Sequence, residues 1–282
     1  MPAQSDVLGI PDVFFNVNCA RLLTSIFATL CYSTACAQQP FYTDDPGVTD
    51  RGKFHFELAN EFDVLQTSLY PSLRQNTLNY RFNYGLSWHL EVDIDSPYLG
   101  IFRTSAAQSR RSFGPGDTNL GLKWSIREEK DGSRVPALAT SFYVEFPTGD
   151  NRSQLGSGLV DYALNGIAQK QIGHATRVTA NAGILFAGNT STGLIGIQTT
   201  RGRVYTGGIS IIRKWTPRLE LGAELYGGLT SNLDLVKSQL QGLIGGKYEL
   251  RKGLSLDFGI LGGKFIASPR AGAQLGFSVD FP

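Results

Sequence analysis

The sequence predicts an all-β protein, a transmembrane antiparallel up-and-down β-barrel of about twelve strands. Three observations carry this. Apolar and polar residues alternate with period two in segment after segment, as in a strand with one apolar and one polar face. Most segments run ten to twelve residues, long for a soluble strand and close to the roughly 9–11 a tilted membrane strand needs. The links between them alternate short and long, and the aromatic residues fall at both ends of the segments.

The chain opens on a leader. Residues 19–40, "CARLLTSIFATLCYSTACAQQP", have one positive charge at Arg21, an apolar run from Leu22 to Tyr32 and a small-x-small site at Ala35–Cys36–Ala37. This is the layout of a secretory signal peptide, cleaved before Gln38. The apolar run is too short to span a bilayer. The expectation is a signal peptide over 1–37. Residues 1–16, "MPAQSDVLGIPDVFFN", do not fit its charged start, so translation is expected to begin near Val17. A lipid-modified Cys36 is the alternative; Ser33 stands where an aliphatic residue is usual. The three cysteines, Cys19, Cys31 and Cys36, all lie in this leader, which excludes a disulfide framework or a thiolate metal site in the rest. A net charge of +2 gives no footprint for nucleic acid.

Residues 38–52, "QQPFYTDDPGVTDRG", are turn-rich and are expected to form a periplasmic segment before a barrel over 53–282. In Asp45-Pro46-Gly47 the Pro presets φ and the Gly permits positive φ. Alternating segments then follow at 53–64, 76–85, 87–96, 118–127, 137–146, 159–170, 176–187, 203–213, 218–228, 237–248, 254–264 and 271–281. The Gly- and Ala-rich segments at 159–170, 203–213 and 237–248 alternate least cleanly, and their register stays open. The tight links are Gly85-Leu86, "EEKDGS", Gly173-His174, "KWTP" and "LRKG"; the longer ones are 65–75, 97–117, 147–158, 188–202, 229–236 and 265–270. Short periplasmic turns and long outer loops are the pattern of an outer-membrane barrel. In that topology Phe54, Tyr84, Trp88, Trp124, Trp215, Tyr248 and Phe281 fall at the periplasmic end. Phe62, Tyr98, Phe146, Tyr162, Phe186 and Tyr205 fall at the outer end.

The same alternation assigns an ionisable face to the lumen. Its candidate lining residues are His55, Glu57, Glu61, Arg81, His89, Glu91, Asp93, Asp95, Lys123, Glu145, Asp161, Glu220, Glu224 and Asp257. The long link at 97–117 carries Arg103, Arg110 and Arg111. It is expected either to fold into the pore as a constriction or to meet lipopolysaccharide phosphates, which a guanidinium binds in bidentate fashion. His55 and His89 stand beside Glu57 and Glu91, but polar lining explains them without a metal or an acid–base pair. The H-x-S-N-G run of the twelve-stranded outer-membrane phospholipase is missing. "GPGDTNLG" lacks the Lys-Ser/Thr of a phosphate loop, and Asp44, Asp45 and Asp50 do not have the spacing of an EF-hand. No enzyme, no metal and no cofactor is expected.

The last strand, "AQLGFSVDF", closes on Phe281 and resembles the terminal signal read by the barrel-assembly machinery, with Pro282 following where that signal ends on its aromatic. Three further stretches, "FYTDDPGVTDRGKFHFEL", "FGPGDTNLGLKW" and "FPTGDNRSQLGSGLVDY", resemble the outer-membrane, transporter-like family labelled "putative MetA-pathway of phenol degradation". That resemblance covers most of residues 41–281 and implies a Gram-negative outer-membrane barrel that passes small, often aromatic or apolar, compounds. It carries no individual binding residue over. The expected function is a passive channel, with outer-membrane lipid, lipopolysaccharide, the assembly machinery and a small solute as partners and the oligomeric state left open. A structural or adhesive barrel with a plugged lumen is the alternative, and a soluble secreted β protein a further one.

Overall fold

The computed structural model describes residues 39–130, 132–186, 202–230 and 238–281. The expected leader over 1–37 lies outside them. The strands are β1 (Phe54–Val64), β2 (Ser72–Ser87), β3 (Leu90–Arg103), β4 (Arg111–Pro115), β5 (Thr118–Arg127), β6 (Ala137–Phe146) and β7 (Asp161–Ile172). They continue with β8 (Thr176–Phe186), β9 (Arg203–Thr216), β10 (Leu219–Thr230), β11 (Gln239–Arg251), β12 (Leu254–Gly263) and β13 (Ala271–Phe281).

Every strand pairs antiparallel with its neighbour, and β1 pairs with both β2 and β13, so the sheet closes on itself. Closure pairs the backbone groups of the wall with one another in lipid, where water cannot satisfy them; β4 at the outer rim is paired on one side, with β3. β3 is shared: its first part, Leu90–Asp95, pairs with β5, and Tyr98–Phe102 pairs with β4. β4 and β5 are therefore two halves of one stave broken at Gly116–Asp117, and the thirteen strands make twelve staves. The break is bridged by the Gly116 N–H, which donates to the Pro97 carbonyl at 2.8 Å.

Two expectations change here. The predicted 97–117 loop is mostly wall, because β3 runs on to Arg103 and returns as β4. The predicted turn at Gly85-Leu86 shifts outward: the β2–β3 register slips between Gly85 and Ser87, and the turn itself is Trp88–His89. Backbone bonds from Gly52 and to Lys53 hold Gly85 in place there.

The alternation has the polarity expected of a barrel in lipid. Ile94, Leu122, Phe142, Ile209, Ile244 and Leu275 face outward and are exposed, whereas their ionisable neighbours point inward and are buried. Phe54 lies abreast of Tyr84 and of Phe281 at the short-turn end, and Tyr162 abreast of Phe186 at the long-loop end. Trp88, Trp124, Trp215, Tyr98, Phe146 and Tyr205 are likewise exposed at those two levels. An aromatic ring with a polar edge is stable at such an interface. A charge in the middle of this band tests it. Leu275, 54% exposed near the centre of β13, is expected on replacement by Arg to destabilise the barrel by ~2–4 kcal/mol. Denaturant unfolding from lipid vesicles reads this directly.

Candidate functional site

The lumen is occupied by the chain itself. Residues 39–52, the expected periplasmic segment, enter the barrel and run across its interior as a strap. Phe41 packs with Ile212, Leu243 and Leu261, an apolar cluster on the inner face of β9, β11 and β12. Tyr42 stacks on Tyr226 at 5.8 Å, and its hydroxyl donates to Glu61 Oε2 at 2.5 Å. The Tyr42 and Thr43 N–H groups donate to the two carboxylate oxygens of Glu224, at 3.0 and 2.6 Å, and the Thr43 hydroxyl donates to Glu224 as well. Asn181 clamps the next residue. With its amide turned to suit both partners, it accepts from the Asp44 N–H at 2.7 Å and donates to the Asp44 carbonyl at 3.0 Å. Further along, the Thr49 N–H and hydroxyl both donate to Glu91 Oε2 at 2.5 Å.

Lys123 ties the strap to the wall. Its ammonium lies 3.1 Å from Asp44 and 3.4 Å from Glu91, and all three side chains are buried. The strap runs close to the wall where the wall has no side chain. A Cβ at Gly208 would come within 2.6 Å of Thr43 Cγ2, and one at Gly222 within 3.0 Å of the Phe41 ring. On β11 a Cβ at Gly245 would come within 3.0 Å of Pro40 Cγ, so the weak alternation of β9 and β11 in the sequence has a physical source: glycine in a strand marks a close backbone approach. The three Asp residues of the "TDDPGVTDRG" turn go separate ways. Asp44 meets Lys123, Asp45 accepts from the Gly47 N–H at 2.7 Å, and Asp50 pairs with Lys53 at 3.0 Å.

Apart from His89, the predicted lining residues point into the interior, mostly in paired arrangements. His55 bridges Asp280 at 2.6 Å and Glu57 at 3.3 Å. Arg81 lies 3.3 Å from Asp95 and 3.7 Å from Glu57. Asp93 accepts from the Tyr143 hydroxyl at 3.1 Å. Glu145 stands across from Asn119 on one side and Asp161 on the other. Glu220 pairs with Arg177 at 2.6 Å, and Asp257 is buried opposite Lys247. His89 is corrected: it occupies the β2–β3 turn and is exposed, because the register slip before it moves the strand start to Leu90. Acids thus dominate the arc from β1 to β7, while Arg177 and Lys247 stand on the β8–β11 side. Reversing the charge at Glu145, which the strap does not touch, is expected to move the zero-current potential under a KCl gradient toward anions. An unmoved potential would remove Glu145 from the ion path.

At the long-loop end the expected constriction is corrected too. Arg110 and Arg111 are exposed at the β3–β4 tip and line no lumen. The segment that folds inward is 147–158. Its Leu155 packs on Leu99 and Ile101, both buried on the inner face of β3. Asp117, at the break between β4 and β5, accepts from the Gly149 and Ser157 N–H groups at 2.9 and 2.6 Å. Arg103 pins the same segment through Gln154 Oε1 at 2.8 Å and the Ser153 carbonyl at 3.2 Å. Within it the Asp150 carboxyl is held below its usual range by hydrogen bonds from the Ser153 hydroxyl and the Arg152 N–H.

Sequence reasoning missed the strap and the Leu155 contact. The glycines of β9–β11 are the signal that was present for the first; no local pattern marks the second.

A family model described as "Putative MetA-pathway of phenol degradation" matches residues 43–281. The match begins at Thr43, within the strap, where the Thr43 hydroxyl donates to Glu224. No curated protein matches the chain in sequence. Among solved structures, an outer membrane channel from Pseudomonas putida F1 superposes with a TM-score of 0.67 at 14% identity, over 86% of this chain and 100% of that one. The NanC porin gives 0.53 at 6% identity, over 80% and 99%. The KdgM porin, solved with disordered oligogalacturonate, gives 0.51 at 10% identity, over 81% and 99%. These likenesses establish an outer-membrane barrel fold.

Proposed function

Since this chain belongs to the family described as "Putative MetA-pathway of phenol degradation", we propose that it is a passive outer-membrane channel for small molecules, with aromatic or apolar compounds as its solute class. The supporting observation is the space beside the strap. A cavity of about 20 Å³ remains between Phe41, Thr43 and Asp45 of the strap and Arg177, Ser210, Ile212, Glu220 and Lys247 of the wall. That holds a single water. On this side of the strap there is no room for a larger solute, so its passage here requires the strap to move. The strap's own anchors suit both demands. An apolar ring at Phe41 borders the route on one side, and charged hydrogen-bonding groups border it on the other.

The reading is tested by planar-bilayer conductance of the refolded protein, with and without a soluble monoaromatic compound, and by swelling of proteoliposomes in the same compound. Small, flickering conductance that the aromatic solute alters is the expected result. A barrel that serves only as a plugged structural or adhesive wall would be silent in both assays. Lipopolysaccharide on the outer side, and assembly machinery that reads the C-terminal strand, are the partners proposed with it. No catalytic role is assigned.

A further inference from the structure

We infer that the outer rim carries a phosphate-binding cleft, built by the β3–β4 tip and the inward-folded segment 147–158 and shaped for a phosphorylated sugar. It rests on the lipopolysaccharide partnership proposed above. The cleft measures about 630 Å³ and opens outward. Arg103, Arg111 and Arg152 line it with serine and glutamine side chains, and no carboxylate is among its lining residues.

The three arginines are not equivalent. Arg103 is committed to the fold: its guanidinium donates to Ser112 Oγ at 2.8 Å as well as to Gln154 and Ser153. It sets the two walls of the cleft at a fixed spacing. Arg111 and Arg152, one from each wall, are exposed, and their guanidiniums enter no hydrogen bond or ion pair among the described residues. Asp150, two residues before Arg152, is turned onto its own segment by the Arg152 N–H at 3.0 Å and the Ser153 hydroxyl at 2.5 Å. It feels the Arg152 charge but forms no ion pair with either arginine among the described residues. Two free planar forks facing one space is the arrangement that binds phosphoryl oxygens in bidentate fashion.

Position and size identify the ligand class. Tyr98 belongs to the outer aromatic belt, and Phe102 lies four residues beyond it on β3. For a strand tilted by about 45° that places the cleft roughly 10 Å above the belt, at the level of head groups. Phe113 also lines the cleft; it stacks edge-on against Phe102 at 5.5 Å and is exposed. It supplies an apolar face beside the charges, as a sugar ring or an acyl root requires. The volume is within the range of small-ligand sites and far exceeds one phosphate ion.

The test uses the refolded full-length barrel in detergent. Its binding is measured to purified rough lipopolysaccharide, to the same material stripped of phosphate, and to inorganic pyrophosphate. The expected result is binding that falls with added salt and weakens on the order of tenfold or more when phosphate is removed. Arg111→Ala/Arg152→Ala is expected to abolish that difference, while the wild-type gel shift on heating persists, showing an intact barrel. Pyrophosphate binding as tight as lipopolysaccharide, and lost in the same variant, assigns the cleft to soluble phosphorylated solutes. Phosphate-dependent binding that survives the double substitution overturns the cleft and leaves the partnership. Binding indifferent to phosphate in the wild type overturns both.

Discussion

Deleting residues 39–50 is expected to raise single-channel conductance severalfold and to leave the barrel folded. The wall does not depend on the strap: β1 begins at Phe54 and is paired along its whole length on both sides. Glu224 and Glu91 lose their strap donors, but water enters the emptied lumen and solvates them, so no charge is left buried and bare. The measurement is a planar-bilayer recording of refolded protein, with the heat-dependent gel shift as the check on folding. Unchanged conductance would mean that the inward segment 147–158 with Leu155, or some other part of the chain, sets the aperture. A companion deletion of that segment separates the two.

Lys123→Ala is expected to have the larger effect on stability. Here the strap is retained in the chain, and while it stays docked the Asp44 and Glu91 carboxylates are enclosed without their shared cation. Breaking a buried ion pair by removing one partner costs on the order of 3–5 kcal/mol. Lys123 is 5% exposed and Glu91 2%, so solvent screening gives little relief. The protein has two ways to respond. It unfolds at lower denaturant, or it releases the strap and conducts. Chemical denaturation and bilayer recording together capture either. Lys123→Arg, which keeps the charge, is expected to lie near the wild type in both. A Lys123→Ala variant that matches the wild type in both assays would show that the latch contributes nothing.

The wall was legible because its signal is local. Phe54, Phe56 and Leu58 against His55, Glu57 and Ala59 is a two-residue rhythm, and lipid outside with polar groups inside translates it into orientation without knowledge of any neighbour. The strap was not legible, because its partners are distant in sequence. Thr43 meets Glu224, and Thr49 meets Glu91. Residues 38–52 read as turn, a local reading that is silent about their location. His89 failed for a smaller reason. Its parity matches that of Glu91, but one slipped pair at Gly85/Ser87 moved it out of the strand. Arg103, Arg110 and Arg111 were noticed as a group, and the fold divides them: one pins a loop and the others face solvent. Which arginine goes where depends on where β3 stops, and a long link gives no sign of that.

The ring is joined by the first and last strands of the chain, with His55 reaching across to Asp280 at the seam. Neighbouring hairpins form from residues close in sequence, but this joint must wait until β13 exists and the sheet has curled far enough to bring it round. The strap's polar anchors sit on β1, β3, β5, β8 and β10 and its apolar ones on β9, β11 and β12, so they too assemble around it only as the sheet curls. Until then the acids of the inner face are open to water and the strap has nothing to hold. Sealing is thus the closing event of biogenesis, and a molecule caught before it is a leak in the cell envelope.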